Sequence, residues 1–498
     1  MIPYRALVSA AENWGDRTIF ILEDGLEISF EALLERVNKL ASALEKRGLE
    51  KGDVLAVLLP NCIEFIELYI AAGSLGMIFQ PMDIRFRGKE LANALKWTDA
   101  KVLAAHAMDA ENIDSLDLDI EIKLLIGGKH KGWQAYEGFL GSGTSPRYEP
   151  EMDEDMDNSM FIFTSGSTGA IKCVPVTWRQ LDFFPQDLMT VTGINPVDRG
   201  ISLVPMSHIS GPIVVNLCLV SGSSYIITSR FTPLAIVDMM ETFRVTWTHT
   251  VPPIASLILK GISRARDLSS MRFIALMGTS VSPHMLVALE HEIPSVKAIQ
   301  GYGLTETSPL LTLLDLEHHA DKRGSIGKAL PGSEIKILDE SGHEVAPGEP
   351  GEIVVSGERI FKGYYKDPGL SASVIRDGWF HTGDIARVDR EGFYYHLGRM
   401  DDVINVGGLK VYPIEIENAL LQHPLVQDCV AYGIPDKKRG HVVAVDVVPK
   451  GRHKLIHAEL RRFLLGHLAE YKIPTHIRRV KEIRLTATGK PIRRPRAQ

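Results

Sequence analysis

Residues 163–172 read FTSGSTGAIK, a phenylalanine followed by small hydroxyl residues and glycines and closed by one lysine. Glycines let backbone N–H groups approach a ligand closely and turn successive donors inward. The hydroxyls add donors, and Lys172 adds the charge that a polyphosphate requires. The spacing is not the G-x-x-x-x-G-K-[ST] of a Walker loop, and a Ser/Gly stretch after a strand is also what a plain turn looks like. A second stretch, GYGLTETSP at 301–309, sets the hydroxyl of Thr305 beside the carboxylate of Glu306. Magnesium favours one or two carboxylates completed by phosphate oxygens, so Glu306 next to a triphosphate would suit that ion. A third, WFHTGD at 379–384, ends on Asp384, whose carboxylate can accept from both hydroxyls of a ribose. Each has a plainer reading, as a surface ion pair for Glu306 or a turn cap for Asp384.

The elements that must carry these segments show in the hydrophobic period. Phe30, Leu33, Leu34, Val37, Leu40, Ala41 and Leu44 recur at helical spacing, with Ser29 as cap and Gly48 as stop. DVLAVLLP follows as a short buried strand, and 62–77 returns to helical period. The alternation continues through SYIIT, a helix at 233–243, VTWTHTV and FIALMG. Alternating strands and helices imply parallel sheets covered by helices. From about 323 to 396 short strands with Gly-rich turns (SEIKILDE, GEIVVSG, GFYYHLG) predict a β-rich subdomain. After GRMDDVINVGG a helix opens at Pro413, strands CVAYGI and VVAVDVV follow, and an amphipathic helix is expected over 457–471.

Composition narrows the classes. A chain of 498 residues exceeds the usual size of one core, so two or more domains are expected. Net charge is −7, which gives no general attraction to nucleic acid or anionic membrane. Cys62, Cys173, Cys218 and Cys429 are scattered without metal-ligand spacing, as in a reducing compartment. The first residues lack the apolar core of a signal peptide. The run CIEFIELYIAAGSLGMIF is interrupted by Glu64 and Glu67, and SGPIVVNLCLVSGSSYIIT by Pro, Asn, Gly and serines, so both are expected to be buried elements with no transmembrane segment. A cytoplasmic protein is the expectation.

As an ordered set, TSGSTGAIK, YGLTE, WFHTGD, GRMDDVINVGG and ATGK resemble the adenylate-forming superfamily of acyl-CoA synthetases, luciferases and peptide-synthetase adenylation domains, over nearly the whole chain. The resemblance implies an α/β fold. A large N-terminal domain over 1–398 would combine stacked βα subdomains with the β-rich subdomain. Residues 399–402 would be a hinge, and 403–498 a small mobile α+β C-terminal domain. By the same resemblance Thr164, Ser165, Gly166, Ser167, Thr168, Gly169 and Lys172 grip the β- and γ-phosphates of ATP. Gly278, Thr279 and Ser280 sandwich adenine with Gln300, Gly301 and Tyr302, and Gly303 belongs to the same nucleotide site. Thr305 touches the α-phosphate, Glu306 the Mg²⁺, and Asp384 with Arg399 the ribose. Lys490 reaches from the small domain to the carboxylate and α-phosphate, and Asp401 is the pivot. Gly407 and Gly408 flank the pantetheine tunnel, and Lys410 meets a CoA phosphate. Ile171 and Cys173 replace the proline and glycine usual around the loop lysine, and Cys173 is expected to be an apolar filler rather than a reactive thiol.

The expected reaction is ATP-dependent activation of a carboxylic acid as acyl-AMP, with pyrophosphate released, then transfer of the acyl group to CoA. PMSHISGP at 205–212 makes His208 the candidate gate of the acid pocket, and MSHISG lacks the aspartate that would pair an α-ammonium. Trp247 and His249 stand near that pocket or in the core, two readings that alternate strand positions leave equally open, and the apolar run 211–220 suits a fatty or aryl acid. Two alternatives stay open: an acyl-AMP ligase that loads a carrier-protein phosphopantetheine, and a nucleotide-binding relative without catalysis. The expected partners are a small carboxylic acid, ATP and CoA, without nucleic acid. A homodimer stays open.

Overall fold

The computed structural model describes residues 1–165, 171–262, 266–451, 457–484 and 491–493. Among these residues four sheets form. The first has seven strands, parallel from Gln134–Ala135 through Ile122–Ile126, Val102–His106, Val54–Leu58, Ile78–Pro81 and Asn158–Ser165, with Ile171–Thr177 added antiparallel at its edge. The second has nine strands and is parallel through Trp247–Thr250, Phe273–Leu276 and Lys297–Tyr302. The expected parallel sheets are thus present, but both carry antiparallel edges made by hairpins, which need no crossover helix.

Local chemistry explains the helices that cover them. Ser29 Oγ accepts from Ala32 N at 3.1 Å, and the helix Phe30–Glu45 starts there. Thr232 and Ser282 cap helices that open on Pro233 and Pro283 in the same way. The two long apolar runs are the helices Ile63–Leu75 and Ser210–Ser221, both sunk in one core that also takes Leu55 and Val57 from the first sheet and Phe273 and Ile299 from the second. Glu67 is fully buried there. Arg36 pairs with its carboxylate and Tyr136 Oη donates to it at 2.6 Å, which offsets the cost of burying the charge. No helix among the described residues is long and apolar enough to cross a membrane.

The third sheet, antiparallel, holds Glu334–Leu338, Gly351–Ser356, Ile375–Arg376, Trp379–Val388 and Tyr394–Arg399. It is tied to the large core by Arg359, 1% exposed, whose guanidinium meets both oxygens of Asp187 at 2.6 and 2.8 Å and the Leu310 carbonyl at 3.1 Å. From Arg399 the chain makes the 3₁₀ turn Met400–Asp402 and enters the fourth sheet at Ile404. That smaller α+β unit has its own core of Val411, Ile416, Val443, Val445 and Leu460. Its last helix spans only His457–Leu465, and Glu470–Lys472 forms a separate 3₁₀ turn, so the helix expected to reach 471 stops before Gly466. Glycine at that position removes helix propensity where no packing restores it.

Candidate active site

The strands Asn158–Ser165 and Ile171–Thr177 form a hairpin in which Thr164 faces Lys172. Gly166, Ser167, Thr168 and Gly169 lie outside the described residues, as does Lys490. The hairpin presents Lys172 at the rim of the first sheet, and its ammonium sits 5.0 Å from the ring centroid of Tyr364. Tyr364 Oη in turn donates to Glu306 Oε1 at 2.9 Å. Cys173, next to Lys172, is fully buried, and burial pushes its thiol up to about 12, so it is an apolar filler.

Glu306 belongs to a 3₁₀ turn, Thr305–Thr307, that follows the strand Lys297–Tyr302. Between them the chain doubles back so tightly that a Cβ on Gly303 would sit 1.9 Å from the Pro309 carbonyl oxygen; only glycine fits. The turn is stapled by Thr307 Oγ1, which accepts from Leu304 N at 2.8 Å. Glu306 belongs to no cluster of three ligating side chains among the described residues. That donor set fits a Mg²⁺ ion that takes most of its oxygens from phosphate and water.

Tyr302 lies at the end of the same strand, and its hydroxyl donates to Asp384 Oδ2 at 2.7 Å. Asp384 Oδ1 faces Arg399 Nη1 at 3.2 Å and His396 Nε2 at 3.7 Å. His396 stacks on the Tyr302 ring (centroids 5.6 Å apart), and its Nδ1 lies 3.0 Å from Ser280 Oγ. Burial drives the Asp384 carboxyl upward, but His396, Arg399 and Tyr302 outweigh it and leave the group below the ordinary carboxylate range. Asp384 is therefore a held anion. Gln300 is buried, with its amide on the Ser325 carbonyl, and Gly278 and Thr279 form the turn leading to Ser280. The sequence reading singled out Ser280, Tyr302, Asp384 and Arg399, and the structure brings them together. It missed His396 and Tyr364.

His208 is exposed at the mouth of the helix Ser210–Ser221, with Nδ1 3.2 Å from Ser210 Oγ. Its loop is pinned by Asn61, whose amide donates to Ser202 Oγ, the Val204 carbonyl and the Thr228 carbonyl, and accepts from Met206 N at 2.7 Å. Nothing in LPNC marked Asn61 for this. His249 lies inward, 4% exposed, edge-on to Phe184, with neither ring nitrogen partnered by protein. Burial, and the neighbouring His208, lower it to about 4, so it is a neutral imidazole. Trp247 takes the core alternative. It is fully buried, stacked on Phe273 at 6.0 Å and against Tyr225 at 5.7 Å, and belongs to the core rather than to a pocket.

Asp401 is exposed in the turn between the two β-rich sheets. Gly407 and Gly408, with φ of +59° and +88°, form the turn of a hairpin that pairs Val406 with Leu409. Successive positive φ values are what a type I′ turn requires, so both glycines have a backbone reason to be there. A Cβ at either would meet nothing within 4 Å. Lys410 pairs with Glu340 at 2.7 Å and lines a cleft of about 360 Å³ with Arg387, Tyr412 and Lys472.

The model of the AMP-binding enzyme family matches residues 7–365, and that of the AMP-binding enzyme C-terminal domain matches 415–490. The chain is 33% identical over 468 residues to a feruloyl-CoA synthase of Amycolatopsis sp, covering 94% of this chain and 92% of the relative. It is 31% identical over 525 residues to a long-chain-fatty-acid–CoA ligase of Bacillus subtilis (98% and 92% covered). Among solved structures, o-succinylbenzoate CoA synthetase from Bacillus subtilis, in complex with its acyl-adenylate intermediate, superposes with a TM-score of 0.85 at 26% identity, covering 98% of this chain and 96% of that one.

Proposed function

The chain belongs to the AMP-binding enzyme family and is an AMP-forming acid–thiol ligase, and on that premise we propose that it activates a fatty or aryl carboxylic acid as its acyl adenylate and passes the acyl group to CoA. One observation carries the reading. A chain of contacts runs from Lys172 through Tyr364 to Glu306, and from the same strand end through Tyr302 to Asp384 and Arg399. Four segments distant in sequence thereby converge on a cation, a carboxylate with one oxygen held by a phenol, and a diol acceptor.

A carboxylate acylates poorly because its leaving group would be oxide. Its attack on the α-phosphorus of ATP expels pyrophosphate and installs AMP as the leaving group. Two anions must meet, so the work is charge neutralisation and positioning, and no base is needed. Lys172 would neutralise the polyphosphate and Lys490 the carboxylate as it meets the α-phosphate. Thr305 would donate to the α-phosphate, and Asp384 with Arg399 would hold the ribose. Tyr302 and the turn Gly278–Ser280 would flank the adenine. A bound Mg²⁺ spreads the phosphate charge, and Glu306 would hold it. The CoA thiol would then displace AMP after the small domain, pivoting at Asp401, brings the Gly407–Gly408 turn to the acyl carbonyl.

For the acid, the largely apolar, buried helix behind His208 and the neutral His249 support an uncharged, largely apolar body over an amino acid. The names of the relatives, feruloyl and long-chain fatty acid, fall in that range. A panel of aryl and fatty acids in ATP–pyrophosphate exchange, repeated with CoA, tests this. Exchange with an aryl or fatty acid and thioester on adding CoA is expected. Exchange confined to amino acids, or thioester formed without AMP, would contradict it.

A further inference from the structure

The segment FKGYYKDP at 361–368 drew no role from its sequence, yet it is the strap that joins the two halves of the phosphate end of the site. Phe361 N donates to the Glu306 carbonyl at 2.9 Å, and four residues on Tyr365 N donates to the Cys173 carbonyl at 2.9 Å. One face of the strap thus grips the turn that carries Glu306, and the other grips the strand that carries Lys172. Tyr364 lies between these anchors, 7% exposed, its ring edge-on to Phe361 at 4.9 Å and its N–H on Ser371 Oγ at 2.8 Å. Packing against Phe361 and the backbone bond to Ser371 hold the ring in place. In that orientation its face meets the Lys172 ammonium at 5.0 Å and its hydroxyl donates to Glu306 Oε1 at 2.9 Å.

We propose that Tyr364 is a positioning residue, which sets the loop lysine and the metal-binding carboxylate at a fixed separation through the two sides of one ring. The inference rests on the roles proposed above for Lys172 and Glu306. A carboxylate with one oxygen held by a phenol has little freedom left, so its second oxygen meets a cation without first losing rotamer entropy. A lysine on a flexible four-carbon stem gains the same from the ring face, whose negative quadrupole attracts the ammonium. Because the phenol donates to an anion, its ring is electron-rich, and the two contacts strengthen each other. A buried tyrosine with a merely structural role needs some acceptor. It does not need one that is a ligand, nor a lysine over its face.

Two variants separate the contacts. Tyr364→Phe keeps the ring under Lys172 and deletes only the bond to Glu306; Tyr364→Leu deletes both. Binding is read on the full-length enzyme with Mn²⁺ and an α,β-methylene ATP analogue, the metal by electron paramagnetic resonance and the analogue by calorimetry. Pyrophosphate exchange at graded Mg²⁺ follows turnover. In the Phe variant, metal binding in the presence of analogue should weaken about tenfold, the scale of one lost hydrogen bond to a charged group, with analogue affinity at saturating metal within about twofold of the parent. In the Leu variant, the analogue should also weaken, by about three- to fivefold. Unchanged metal binding in the Phe variant overturns the proposal. So does a fall in exchange rate in either variant with both affinities unchanged, since that is what loss of structure alone would do. If the Leu variant does not fold, the Phe variant decides the matter. If the parent enzyme shows no acid-dependent exchange, the functional reading fails while the two binding measurements still judge Tyr364.

Discussion

Replacing His249 by Leu should change stability in a way that depends on pH and can be worked from the structure. The imidazole is 4% exposed, has no protein partner at either nitrogen, and is lowered by burial and by His208 to about 4 from an ordinary 6.5. Above pH 6.5 it is neutral in both the folded and the unfolded chain and contributes no pH dependence. Between 6.5 and 4 the unfolded chain takes up the proton first, so folding is progressively disfavoured as pH falls. At pH 5 that penalty comes to about 2 kcal/mol, and at pH 8 it is about zero. The Leu variant does not carry it. Relative to the parent it should therefore gain about 2 kcal/mol between pH 8 and pH 5, read as the difference in urea midpoints at the two pH values multiplied by the common slope. At pH 8 the substitution itself should be near neutral, because it removes two unpaired polar atoms along with some packing. A stability difference that is the same at pH 8 and pH 5 would contradict a buried, unpaired imidazole, for it would mean that His249 finds a partner or water on folding.

Removing Asp187 leaves the Arg359 guanidinium buried and unpaired, so Asp187→Leu should cost about 3–5 kcal/mol and lower the thermal midpoint, whereas the double variant Asp187→Leu/Arg359→Met should recover much of it. Asp401→Pro fixes φ near −65° at the exposed turn between the sheets; one half-reaction should survive and the other fail, and equal loss in both, with the protein folded, would remove the pivot from this position. For the turn, Gly408→Ala and Gly408→Leu share the strain of a positive φ but differ in bulk. A loss of thioester formation that grows from Ala to Leu while pyrophosphate exchange persists supports a tunnel, and equal effects of the two on thioester formation mean that the turn alone matters.

How far the sequence reaches depends on whether a contact is local. The helix Phe30–Glu45 was readable because its cap, its apolar stripe and its stop lie within twenty residues of each other, and the loop before Lys172 was readable from its glycines and hydroxyls, though not the antiparallel strand that follows it. Glu67 looked like an interruption of an apolar run. Its partners Arg36 and Tyr136 stand 31 and 69 residues away, and no local pattern announces them. Tyr364 is hidden for the same reason, since Glu306 is 58 residues from it, and so is Asn61, which organises a loop more than 140 residues on. Trp247 shows a different limit. Alternation on a strand says that Trp247 and His249 share a face but not what that face meets, and here the tryptophan finds Phe273 while the histidine finds unpaired space. The helix from His457 ended early because one glycine decided it, a weight of about 1 kcal/mol that pattern reading cannot see past.

The central claim is that the carboxylate of the substrate attacks the α-phosphorus of ATP. An acid labelled with ¹⁸O in both carboxylate oxygens, turned over with ATP and CoA, tests it directly by mass spectrometry of the products. Attack at the α-phosphorus puts one acid oxygen between carbon and phosphorus, and the thiol then leaves that oxygen on AMP. One ¹⁸O in AMP for each thioester formed, with none in pyrophosphate, is the expected result. Label in inorganic phosphate alongside ADP, or unlabelled AMP, would contradict the account.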